Sequence, residues 1–185
     1  MGTTDDATTR LATLVAHFSQ RPVTSAAGHS YTPTGRRTPA TVSAAPLDLD
    51  MLDHIDASVQ EIAAHARQVN PSAGPLPARV EAAYAWYMES TALAPAAEQQ
   101  RRDTIVYRQS LEHAIAMGDT RVVRPHRCPA CRTVGLMWRT EFRAAVCTNL
   151  RCVTTDGMSR KWTLARLAYE HIAAQSENSV RDCAT

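Results

Sequence analysis

The chain has 185 residues, 44% hydrophobic and 5% aromatic, with 20 basic and 18 acidic side chains and a formal charge of +2. That length admits one ordinary domain, or a helical bundle with a smaller module, and excludes a large multidomain enzyme; the composition excludes a globally disordered chain. No apolar run reaches the ~18 residues of a membrane span, and Thr3, Thr4, Asp5 and Asp6 stand where a secretory leader would be basic and then apolar, so a soluble, cytoplasmic protein is expected.

Residues 1–20 predict a short amphipathic helix, because Leu11, Leu14, Val15 and Phe18 repeat at helical spacing. Residues 21–46, with Pro22, Pro33, Pro39 and Pro46 among Ser, Thr, Gly and Ala, carry too few large apolar groups for a core and predict a linker or extended arm. Residues 47–120 predict a three-helix bundle. Its first helix starts at Asp48 or Asp50 as a cap and runs to about Val69, with the stripe Leu52, Ile55, Val59, Ile62, Ala66 and Val69. The prolines and glycine of 70–77 end it. A helix over 78–94 follows, with Val80, Tyr84, Tyr87 and Thr91 on one face. Pro95 then opens another through Ile105, Leu111 and Ile115, which Gly118 ends in a left-handed conformation.

Residues 121–175 change period. Val134–Arg139, Phe142–Cys147 and Met158–Thr163 predict short strands, followed by a closing helix from Leu164 to about Ala174 and a polar tail over 176–185. The expected fold class is α+β: mainly a helical bundle, then a small C-terminal module of a β-hairpin or three short strands, then a helix. Trp138, Phe142 and Trp162 are its candidate core.

Four cysteines fall within that module: Cys128 and Cys131 two residues apart, fifteen residues, then Cys147 and Cys152 four apart. A short gap lets one turn present two thiolates to a single ion while its amides bond to the sulfurs, and both gaps lie within the range of four-cysteine zinc sites. Disulfides do not suit a chain without a leader, and no βαβ pattern supports a redox pair. An iron–sulfur cluster uses the same four thiolates. Structural Zn2+ held by Cys128, Cys131, Cys147 and Cys152 is the expectation; four thiolates leave no coordination position for water, so the ion holds the fold and does not hydrolyse. His126 reads as an exposed loop residue and Cys183 as a spare thiol.

Charge is unevenly placed. Residues 121–166 hold ten basic and two acidic groups, while residues 1–120 carry a net −4. A basic ribbon suits phosphates, and Arg124, Arg127, Arg132, Arg139, Arg143, Arg151, Arg160 and Lys161 are the candidate nucleic-acid contacts. No recognition helix of a known type is present.

Other clusters read as structural. Asp48, Asp50, Asp53, His54 and Asp56 suit a helix start. Glu61 with His65, and Glu112 beside His113, read as helix-surface pairs, and Arg101, Arg102 and Asp103 as solvated surface. No phosphate-cradling Gly-rich loop, nucleophile elbow or HExxH motif occurs, so a non-enzymatic role is expected.

The Pro/Thr-rich arm ending in Pro46–Asp56, the Ala-rich helical middle, and CPAC and CTNLRC around a hairpin resemble small zinc-ribbon proteins of actinobacterial phages and prophages, over roughly residues 30–175. The resemblance implies a phage setting, in the host cell or the virion. The family carries no established activity, and in that setting the expected role is a nucleic-acid-binding accessory factor. The alternative is a structural virion or assembly protein of connector or tail-completion type, oligomeric through the N-terminal helix and arm and bound to other phage proteins, with zinc only stabilising the fold.

Overall fold

A computed structural model of the protein describes residues 49–182, with side chains described for 51–177. The helix expected within 1–20, the arm over 21–46, Asp48 and Cys183 lie outside the described residues.

Helix α1 (Leu49–Val69), helix α2 (Val80–Ser90) and helix α3 (Ala96–Ala116) form the bundle. After them come a 3-10 turn (Thr120–Val123), strand β1 (Met137–Arg139), a second 3-10 turn (Thr140–Phe142), strands β2 (Ala144–Val146) and β3 (Lys161–Trp162), and helix α4 (Leu164–Asp182). The class is α+β. No helix among the described residues is long and apolar enough to cross a membrane.

The α1 stripe is largely as expected, with Ile62 and Ala66 fully buried and Val59 packed beside them. Leu52 departs from it and stays 45% exposed, because the buried face is set by Met51, Ser58, Ile62, His65 and Ala66, one step around the helix. Asn70 ends α1 and its side-chain amide donates to the Ser90 carbonyl at 3.1 Å, which ties the C-terminus of α1 to that of α2. Helix α2 is shorter than the expected 78–94; the Thr91 hydroxyl folds back to the Tyr87 carbonyl at 2.7 Å and closes the last turn.

Pro95 is the N-cap of α3, its carbonyl accepting the amides of Glu98 and Gln99. At the other end Gly118 adopts φ +84°, and the bonds from Gly118 N–H to Ile115 and from Asp119 N–H to Ala114 make a Schellman cap. Only a residue without Cβ takes that turn at no cost.

Helix α3 has two working faces. On one side Val106 joins Ile62, Ala66, Ala83, Tyr84 and Tyr87 of α1 and α2. On the other, Leu111 lies in a second core with Val123, Leu136, Ala145, Leu164, Leu167 and the thiols of Cys128, Cys147 and Cys152. Helix α4 covers this second face, and it runs on to Asp182 where a polar tail was expected from 176.

The sheet is antiparallel in the order β1–β2–β3. Met137 pairs with Val146, Trp138 with Ala145 and Arg139 with Ala144; Ala145 then pairs with Trp162 and Val146 with Lys161. The register places Trp138, Ala145 and Trp162 on the inner face, against the second core. Phe142 departs from its expected core role: it stands in the β1–β2 turn and is 53% exposed. The strands are shorter than the stretches that suggested them: Val134 and Ser159, ahead of β1 and β3, sit in isolated bridges to Arg127 and Val153, and Phe142, ahead of β2, sits in the 3-10 turn.

Candidate metal centre

The first cysteine pair sits on a loop closed by two backbone bonds, Cys128 N–H to Thr133 at 2.9 Å and Arg132 N–H to Cys128 at 2.8 Å. The chain reverses at Arg132, which takes φ +60°. The amide and hydroxyl of Thr133 stand on the side of the Cys131 sulfur and lower its pKa.

The second pair sits between β2 and β3, where Cys147 N–H donates to Arg160 and Arg160 N–H to Cys152. Its longer gap is absorbed by an Asx turn: the Asn149 side chain accepts the Arg151 amide at 3.0 Å, and the Asn149 carbonyl accepts Cys152 N–H at 2.9 Å. The extra residues are thrown outward, leaving Leu150 89% exposed. Thr148 donates to the Gly135 carbonyl at 2.8 Å, stitching this loop to the chain before β1.

The four sulfurs converge, all within 4.8 Å of one another. Cys128 to Cys152 is 3.7 Å and Cys131 to Cys147 is 3.6 Å, so each short edge joins one knuckle to the other. Both lie far above a disulfide bond of about 2.05 Å. Four thiolates at ~2.3 Å from one tetrahedral ion are about 3.8 Å apart. The donor set therefore fits a metal ion of that size. Hydrogen bonds from Thr133 draw the Cys131 thiol down to about 6, while burial pushes Cys147 up and Cys152 up to about 12. A dication at the centre offsets the cost that burial places on the thiolates.

His126 is not the exposed loop residue expected from sequence. It is buried, its Nε2 3.0 Å from the Tyr107 hydroxyl. His171 of α4 stacks on Tyr107 with ring centroids 4.3 Å apart, and these three rings lock the first knuckle to α3 and α4. Burial lowers the pKa of both imidazoles. Sequence reasoning missed this trio because three isolated ring residues carry no spacing signal.

Two expected surface pairs are re-partnered. His65 is buried, with Nε2 3.1 Å from Glu98 and Nδ1 2.7 Å from the Tyr87 hydroxyl, while Glu61 takes Arg108 and Gln109. Glu112 bonds Arg108 at 2.8 Å, and His113 is buried, which lowers its pKa. Arg102, expected in solvent, is buried and bonds Asp103 at 2.7 Å.

All eight candidate phosphate contacts, Arg124, Arg127, Arg132, Arg139, Arg143, Arg151, Arg160 and Lys161, are exposed. Arg127 and Arg132 flank the first knuckle and line a cleft of about 210 Å3 with His126, Glu170 and His171. Arg132 also pairs with Glu170 at 3.2 Å. Arg139, Arg143 and Lys161 lie on and beside the hairpin, and Arg151 and Arg160 belong to the second knuckle. Comparison with protein-family models, curated proteins and solved structures gives no match.

Proposed function

We propose that this protein is a non-enzymatic zinc-ribbon protein that binds nucleic acid through its arginine-rich ribbon. The observation that carries the reading is the convergence of four cysteine sulfurs in a module whose charged surface is almost wholly basic. Zn2+ bound by Cys128, Cys131, Cys147 and Cys152 fills its tetrahedral shell with thiolate and supplies fold stability. The residues outside the shell do the binding. Zinc with four thiolates carries −2, so residues 121–166 keep a large positive charge against an acidic bundle.

Arginine donates bidentately to phosphate and displaces condensed counterions, so binding is electrostatic in origin and steep in salt. The test is a salt series of the zinc-loaded protein on short DNA and RNA, single-stranded and duplex. Replacing Arg132, Arg139 and Arg143 by Ala together is expected to weaken binding to every strand and to reduce the log–log salt slope by about two to three. Wild-type protein that binds no nucleic acid at low salt defeats the reading and favours the assembly role, in a virion or among other phage proteins.

A further inference from the structure

The outer face of the three-stranded sheet is unlike the inner one. Trp138 and Trp162 turn inward to the core. Alternation then leaves Met137, Arg139, Ala144, Val146 and Lys161 facing the other way. Met137, Arg139 and Lys161 are exposed there. Phe142 sits at the end of this face, 53% exposed, with the Lys161 ammonium 3.5 Å from its ring centroid. Arg143 follows it in a left-handed turn at φ +44° and lines a cleft with Trp138, Arg108 and Glu112.

Phe142 stays half-exposed at the hairpin turn, so core packing gives it little in the free protein. With Lys161 at its ring and Arg139 on the same face of the sheet, it has the two elements that hold an unpaired nucleotide: an aromatic surface for the base and positive charge for its phosphates. A duplex keeps its bases stacked on one another and offers such a ring no face. We propose that Phe142 is a stacking platform for a base of single-stranded nucleic acid, with Arg139 and Lys161 holding the adjoining phosphates, so that the ribbon prefers single strands to duplex. The inference rests on the nucleic-acid reading above and specifies its ligand. Charge complementarity selects the occupant: an apolar protein partner would have to bury Arg139 and Lys161 with the ring.

The experiment measures fluorescence anisotropy of the zinc-loaded full chain with a short labelled oligothymidylate and with a duplex of equal length. Phe142→Ala and Phe142→Leu are both expected to weaken single-strand binding by about five-fold or more while duplex binding stays within about two-fold, and Phe142→Tyr to restore it. Leucine keeps the apolar bulk without the π-face, and zinc stoichiometry reports that each variant is folded. Equal losses on both ligands, or none on either, overturn the stacking role and leave electrostatic binding standing. Wild-type protein that binds neither ligand overturns both.

Discussion

The amide of Gln109 is shared among three helices. Its nitrogen donates to the Ser58 carbonyl at 3.1 Å and to Glu61 at 2.8 Å, and its oxygen accepts the Tyr84 hydroxyl at 2.9 Å, in a site 1% exposed. Burial raises the Tyr84 pKa, so the phenol keeps its proton and must donate it. Gln109→Ala strands that hydroxyl and is expected to cost about 1–3 kcal/mol in urea unfolding, while Gln109→Glu, which sets a buried carboxylate against Glu61 and the Ser58 carbonyl, costs at least as much. Neither Gln109 nor His65 is legible as a core residue in the sequence. Hydrophobic periodicity marks apolar side chains, whereas these two are buried by partners 22–51 positions away.

The helices were readable because their signals are local. Tyr84, Tyr87 and Thr91 recur on one face, Gly118 stands where a left-handed cap belongs, and Pro95 opens its helix one place ahead of the first turn, as the N-cap. Gly118→Ala puts a Cβ at φ +84° and is expected to lower the unfolding free energy by about 1 kcal/mol, whereas Gly74→Ala, where no left-handed φ is needed, is near neutral. The strands were readable in position but not in length. Residues such as Val134 and Ser159 continue an apolar or alternating pattern, yet the loops that set the sulfurs take up their backbone bonds. Phe142 was misplaced because an aromatic in a strand-like run is normally inward; here the turn takes it before β2 begins.

Between the two cores lies α3. The four converging cysteines were legible, since spacing alone defines two knuckles, but their burial against the bundle was not: the contacts join Leu111 to Leu164 and Leu167 across the whole ribbon. Removing the metal with a strong chelator is therefore expected to do more than open the ribbon. Hydrogen exchange should quicken in β1–β3 and α4 together, while the α1–α2 core around Ile62 and Tyr87 stays protected. Unchanged exchange in α4 would show that its packing on α3 suffices without the ion.

The dependence of α3 on α4 also has a meaning in time. The ribosome releases α3 first, and the helix that covers Leu111 is made about 50 residues later. At ~5–20 residues per second, that is a wait of about 3–10 s. During that interval the nascent chain exposes Leu111 together with free thiols, so metal supply at the moment of synthesis decides how long the new protein remains a target for chaperones and proteases.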